Sequence, residues 1–187
     1  FNQTQLYEIR TSLTMKPNAS MPGLNSQVSY PIYRESTSKM YLPRYYGIDI
    51  FGTPSNNILS NGEDINCKFE GSLYDYQNNI IDKYIKHVGE SGGGLLDVEP
   101  GKGKTVMALN IISKLSKKTL VVVHKSFWLN QWKERIQQFL PDARVGIIQG
   151  TVCDIDEKDI VIGMLQTLCT KRFDDNIISQ FGLSVYD

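Results

Sequence analysis

The chain has 187 residues, 41% of them hydrophobic, enough for one ordinary domain with an extension and a filled core. Its 20 basic and 20 acidic residues balance to zero, so no global field draws it to nucleic acid or to an anionic membrane, and any nucleic-acid contact has to be a local patch. No apolar run approaches the roughly 18–20 residues of a membrane span, and the start lacks a charged-then-apolar signal pattern, so the expectation is a soluble, unprocessed, intracellular protein without membrane partners. In chain order, residues 1–68 form an N-terminal extension rich in Tyr, Ser, Asn and Pro, with turn signals at Met21-Pro22-Gly23, Gly52-Thr53-Pro54 and Ser60-Asn61-Gly62. Within it Phe1–Thr14 suits a helix or a strand. Tyr30–Tyr33, Lys39–Leu42 and Tyr45–Phe51 suit strands or ordered loops, because aromatic and β-branched residues sit there between prolines and glycines; the expected extension is small and β-rich.

After Gly71 the pattern alternates. A helix is expected from Leu73 to about His87, a glycine turn at Gly92-Gly93-Gly94, a strand at Leu95–Val98 and a helix from about Lys104 to Leu115 that is apolar nearly all round. Thr119–Val123 is an uninterrupted apolar and β-branched run of the kind buried on both faces of a parallel sheet. The stripe Leu129, Trp132, Ile136, Phe139 predicts a helix beginning at Ser126 and stopped by Pro141. Arg144–Ile148, Asp159–Ile162 and Leu183–Tyr186 read as further strands. Strands alternating with helices predict an α/β fold, a mostly parallel αβα sandwich whose ligand binds at the carboxyl ends of the strands. Cys67, Cys153 and Cys169 are widely spaced and, with two histidines, do not make a zinc set; they are expected to be buried or neutral thiols in a reducing compartment.

Chemistry concentrates in Glu99-Pro100-Gly101-Lys102-Gly103-Lys104-Thr105, lying between the expected strand and helix. Gly101 and Gly103 allow a tight turn that presents backbone N–H groups to phosphate oxygens, where a Cβ would crowd them. Lys104 supplies a point charge for the β- and γ-phosphates, and the Thr105 hydroxyl suits Mg²⁺. The strict phosphate-loop pattern has one more glycine, where this chain carries Val98-Glu99. The rival reading is a glycine turn that merely joins a strand to a helix.

From Phe69 to Asp187 the order of segments resembles the first motor domain of superfamily 2 helicases and translocases of the Asp-Glu-x-His box type, a RecA-like αβα fold. Phe69–Gln77 resembles the family's Leu-x-x-Tyr-Gln segment, Glu99–Thr105 its motif I, and Leu120–Trp132, ending Leu129-Asn130-Gln131-Trp132, its motif Ia. Ile147–Gly150 and Asp159–Leu168 resemble the next two blocks, and Asp187 falls at the first position of the Asp-Glu-x-His box. The resemblance implies an ATP-dependent helicase or translocase in which 69–187 is a first motor domain cut at that box. It further implies ATP and Mg²⁺ as cofactors, with Pro100, Gly101, Lys102, Gly103, Lys104 and Thr105 around the phosphates and Gln77 reading adenine. Lys104 and Asp187 are then catalytic, and Thr105 and Asp187 hold the metal.

By the same likeness nucleic acid, DNA or RNA, is held by its backbone at Lys125, Ser126, Gln131, Gly150 and Thr167. His124 is balanced between such a role and that of a hydrogen-bonded strand-end histidine, while Tyr76 and Trp132 are taken as packing residues. Ile9–Pro17 and Met40–Gly47 resemble the leader of helicases from large DNA viruses, the group that includes poxvirus transcript-release helicases. That narrower likeness implies partners among viral transcription or virion proteins and a place in the virion or a viral factory in host cytoplasm. The box glutamate and the second motor domain do not follow within this sequence, so the expectation is an inactive N-terminal part of an active ATPase. The alternative is a docking or virion structural module that does not hydrolyse nucleotide.

Overall fold

A computed structural model describes residues 2–16 and 29–187, in two compact units that divide between Ile58 and Leu59. The turn expected at Met21-Pro22-Gly23 lies outside the described residues. In the first unit, helix α1 (Gln3–Ser12) opens on a reciprocal cap: Asn2 Oδ1 accepts the Gln5 N–H at 2.8 Å while Gln5 Oε1 accepts the Asn2 N–H at 3.0 Å. Two short antiparallel pairs follow, β1 (Thr14–Met15) with β2 (Tyr30–Pro31) and β3 (Arg34–Glu35) with β4 (Met40–Tyr41). Arg10 clasps Glu35 through Nε at 3.2 Å and Nη2 at 2.6 Å, tying α1 to β3.

The extension departs from the β-rich expectation at Tyr45–Phe51, which lies in helix α2 (Arg44–Phe51). Pro43 precedes that helix, where no N–H is needed, and its carbonyl accepts the first ladder bond from Gly47 at 2.9 Å. Gly52, at φ +80°, then ends it. The proline and glycine that bracket these aromatic residues therefore mark helix ends here, not the ends of a strand.

The second unit is built on a five-stranded sheet in the order β7-β6-β8-β5-β9. Its members are β5 (Thr119–Val123), β6 (Val145–Gln149), β7 (Val152–Asp154), β8 (Ile160–Met164) and β9 (Leu183–Tyr186). All neighbours are parallel except edge strand β7, a hairpin return on β6 that the sequence pattern did not announce. Helices α3 (Asp75–Ser91), α4 (Lys104–Leu115), α5 (Ser126–Phe139), α6 (Leu165–Thr170) and α7 (Asp175–Ile178) complete the unit.

Alternation along the strands explains the layers. Val121 and Val123 of β5 and Ile160, Ile162 and Met164 of β8 pack with Leu109, Ile112, Leu129, Trp132 and Ile136 of α4 and α5. The intervening Leu120 and Val161 turn the other way, onto Leu168 and Ile177 of α6 and α7. Ile65 and Cys67 join the first of these cores, which is why the compact unit begins ahead of the boundary expected at 68/69. The second unit is thus the αβα sandwich with a mostly parallel sheet that the alternation of segments predicts.

One expected strand does not form. Leu95–Val98 joins no sheet, because β5 is already paired on both sides, to β8 and β9, and the outer edge of β9 faces a cavity of about 280 Å³ with Leu95 and Leu96 in its wall. A backbone without a ladder partner stays irregular. Of the three thiols, Cys67 is buried, and burial pushes it up to about 11, but Cys153 and Cys169 are exposed on β7 and α6.

At the amino ends of the strands, the Asp159 carboxylate accepts from the Arg144 N–H at 2.8 Å and from its guanidinium at 3.0 and 2.9 Å. Burial pushes Asp159 upward, but these bonds and the Arg144 charge outweigh it, so its folded carboxyl lies below the ordinary value. A carboxyl held below its unfolded value of about 3.9 stabilises fully above that pH and loses the contribution as pH falls through the folded value. Asp159→Asn is expected to cost about 1–2 kcal/mol at pH 7 and clearly less at pH 3, measured as urea midpoints at the two pH values.

Candidate functional site

The chain turns tightly at Pro100–Lys102 and enters α4 at once. Gly101 and Gly103 both hold φ +81°, the left-handed region that other residues resist, and Gly103 is the N-cap of α4. The first ladder bond of the helix runs from the Met107 N–H to the Gly103 carbonyl at 3.0 Å. The amides of Lys104, Thr105 and Val106 precede that ladder, so they point out of the helix N-terminus as anion donors. Lys104 folds back over the loop, its Nζ donating to the Val98 carbonyl at 2.8 Å.

Helix α3 holds this loop from outside. The Lys102 carbonyl accepts two side-chain donors, Gln77 Nε2 at 3.0 Å and Tyr76 Oη at 3.1 Å. Gln77 is buried, and its other amide atom, Oε1, accepts the Tyr74 N–H at 3.0 Å. The carboxamide is therefore a strut between α3 and the loop as well as a polar edge. Tyr76, set aside as packing on sequence grounds, is 40% exposed, stacks on Tyr74 with ring centroids 5.7 Å apart, and directs its hydroxyl at the loop. No periodicity would have revealed that bond, which depends on where the loop carbonyl sits.

Across the cavity from the loop, β9 delivers Asp187 into the same pocket as Lys104 and Thr105. The Asp187 N–H donates to the Val122 carbonyl at 3.1 Å, which prolongs the β9–β5 ladder by one residue. Its Oδ2 accepts the Trp132 indole N–H at 2.8 Å. Thr105 and Asp187 offer a hydroxyl and a carboxylate, hard oxygen donors that suit Mg²⁺. Among the described residues no cluster of three or more His, Cys, Asp or Glu exists. The donor set fits an ion that draws most of its ligands from phosphate and water and only one or two from protein.

The remaining residues of interest lie where β5, β6 and β8 end side by side, since their register pairs Val123 with Met164 and Ile148 with Gly163. Lys125 is the exposed N-cap of α5 and Ser126 its first residue; Gln149 Nε2 lies 3.5 Å from Ser126 Oγ. Gln166 Nε2 donates to the His124 carbonyl at 2.9 Å, and the Gly150 N–H to Thr167 Oγ1 at 3.0 Å. Side chains thus lace the three strand ends together. Lys125, Ser126 and Gly150 are exposed, and Gln131 is half-buried one turn further along α5. Thr167 is 8% exposed, so its hydroxyl braces Gly150 more than it faces solvent. Gln149 and Gln166 are part of this lacing although the sequence marked only their neighbours.

Residues 70–187 match the family described as Type III restriction enzyme, res subunit. The chain belongs to this family. The match covers the superfamily 2 motor region, and the relatives carry helicase names. A protein of Acanthamoeba polyphaga mimivirus, provisionally named an ATP-dependent RNA helicase, is 34% identical over 185 residues, covering 96% of this chain and 36% of that protein. A similarly named protein of African swine fever virus is 34% identical over 124 residues, 63% of this chain and 24% of its own length. One from Invertebrate iridescent virus 6, provisionally named a helicase, is 26% identical over 127 residues, 66% and 29% respectively.

This res-family chain therefore spans about a third or less of each of these relatives. Among solved structures, the Sulfolobus solfataricus SWI2/SNF2 ATPase core aligns with a TM-score of 0.54 at 18% identity, covering 72% of this chain and 28% of that one. The same core in complex with double-stranded DNA aligns at 0.53 and 20%, covering 67% and 27%. At that identity the likeness concerns the fold, and it agrees with the RecA-like reading.

The two loop glycines differ in surroundings. A Cβ on Gly101 would meet nothing within 4 Å, whereas one on Gly103 would lie 2.6 Å from Gln77 Nε2. Gly101→Ala is expected to cost only the left-handed strain, about 1–2 kcal/mol. Gly103→Ala should cost more, because Gln77 must also release the Lys102 carbonyl, and adding Gln77→Ala should recover part of the difference. Urea unfolding of the three variants tests this ordering.

Proposed function

We propose that this chain is the nucleotide-binding part of the first motor domain of an ATP-driven nucleic-acid helicase or translocase of a large DNA virus. One observation carries the reading: a glycine turn with both glycines at φ +81° leads into the amino end of α4, and Lys104, Thr105 and Asp187 share one cavity. Pro100–Thr105 would wrap the triphosphate, with the Gly103–Val106 amides and the Lys104 ammonium as donors. Gln77 has one amide hydrogen beyond its bond to Lys102, and it is the group we assign to the adenine edge. Thr105 and Asp187 would hold Mg²⁺, which when bound neutralises charge on the β- and γ-phosphates. Lys104 would exchange the Val98 carbonyl for a phosphate oxygen, so nucleotide binding and release of the loop are one event.

Nucleic acid would lie along the strand-end surface, its phosphates against Lys125, Ser126, the α5 amino end, Gly150 and, through Gly150, Thr167; Gln131 follows on the next turn. Such contacts carry no base sequence, which is what a motor that steps along a strand requires. The likeness to viral relatives supports a role in viral transcription or genome handling, with transcription or virion proteins as partners.

In the full-length protein, Lys104→Ala is expected to lower nucleic-acid-stimulated ATP hydrolysis by about 100-fold or more with an unchanged circular dichroism spectrum. An unchanged rate would remove the motor reading and leave a docking module that does not turn over. Binding of single strands should weaken along a straight line in log affinity against log salt, with a shallower slope in Lys125→Ala; affinity insensitive to salt would point away from phosphate contacts.

A further inference from the structure

Trp132 stands out because its polar atom goes where its packing does not require. The residue is 1% exposed, on the same face of α5 as Leu129 and Ile136, and it fills the core between α5 and the sheet. An indole N–H can only donate, and one buried this deeply finds no water to accept it. The acceptor is Asp187 Oδ2, at 2.8 Å, on a carboxylate that follows β9 and shares the cavity of Lys104 and Thr105.

A carboxylate lining a cavity can ordinarily rotate and present either oxygen to it. Here the backbone is pinned by the Asp187 N–H to the Val122 carbonyl, and the side chain by a donor left unsatisfied whenever the carboxylate swings away. The cost of orphaning the indole is what holds the rotamer. With Oδ2 engaged, Oδ1 is the oxygen free to meet a ligand.

We propose that Trp132 is a positioning residue for Asp187: its indole N–H fixes which carboxylate oxygen faces the nucleotide pocket, and so sets how strongly Mg²⁺ adds to nucleotide binding. The proposal rests on the reading of Lys104, Thr105 and Asp187 as a nucleotide–metal site, and its readout is binding, apart from turnover. Trp132→Phe keeps an aromatic ring in the core and removes the donor.

The experiment measures the affinity of the full-length protein for a fluorescent ATP analogue, by anisotropy, in Mg²⁺ and in EDTA. Trp132→Phe is expected to shrink the Mg²⁺-dependent gain in affinity at least fivefold, with EDTA affinity within twofold of wild type and an unchanged circular dichroism spectrum. Asp187→Asn should abolish the gain, and the double variant should be no worse than Asp187→Asn alone, because a positioning residue has nothing left to position. A wild-type gain retained in Trp132→Phe, or effects that add in the double variant, would overturn the proposal. Equal binding by wild type and Lys104→Ala would instead overturn the site reading beneath it. Should Trp132→Phe fail to fold, the indole ¹⁵N–¹H resonance of Trp132 decides: it is expected to shift markedly in Asp187→Ala, and an unmoved resonance would rule out the bond.

Discussion

The shared register of β8, β5 and β9 is the constraint on which the rest depends. Thr119 is level with Ile160 on one side and Leu183 on the other, and Val122 with Gly163 and Tyr186, so three parallel strands start and finish together. A slip of one residue would turn Val121, Val123, Ile160 and Ile162 from the α4–α5 face to the α6–α7 face. It would also move the strand ends by about 3.3 Å, enough to take Asp187 out of line with Lys104 and Thr105. The candidate site is therefore a consequence of register before it is one of any particular side chain.

What holds that register lies at the opposite end of the strands. Lys118 is 2% exposed, and its ammonium reaches Glu63 at 2.9 Å and Gln180 at 2.6 Å, with the Phe181 ring 5.9 Å away. Backbone bonds from Lys118 to Glu63 and from Gly182 to Lys118 tie the same segments together. Arg144 and Asp159 make the equivalent junction between β6 and β8, with the Thr119 N–H bonded to the Asp159 carbonyl. A buried ammonium is costly unless it is fully partnered, so a shifted strand would strand that charge. The charged clamps sit at the amino ends, and the carboxyl ends carry amides, hydroxyls and carboxamides together with Lys125 and Asp187.

The elements legible in the sequence are those whose hydrophobic period is uninterrupted. Thr119–Val123 reads as a strand to the residue, the last strand reads to within a residue or two of β9, and a stripe marks the helix starting at Ser126. The glycine loop was legible because few backbones need glycine, lysine and threonine in that order ahead of a helix. Leu95–Val98 departs from the expectation because apolar character marks a segment that wants burial but does not supply the ladder partner that makes it a strand. α2 departs from the expectation because its aromatic residues favour a strand or an ordered loop, whereas Pro43 and Gly52, which bracket it, act as helix ends. The roles of Tyr76 and Trp132 were out of reach for a different reason. Each acts through one hydroxyl or N–H aimed at a residue 26 or 55 positions away, and a one-dimensional pattern has no term for that.

Gln77 shows how the two kinds of information combine. Its place in the sequence pointed to a base-reading amide, and its geometry shows a buried strut whose Oε1 and Nε2 are both engaged with the backbone of this chain. The two roles are compatible because the Nε2 group carries two hydrogens and the bond to the Lys102 carbonyl uses one of them. On the proposed reading, a carboxamide that gives one hydrogen to the loop and keeps the other for a base would couple the two. Gly103 is where that coupling would be felt, since its missing Cβ is what lets the Gln77 amide come so close. The left-handed turn at Gly103 is then required twice, to start α4 with its first amides open and to admit the side chain that ties α3 to the loop.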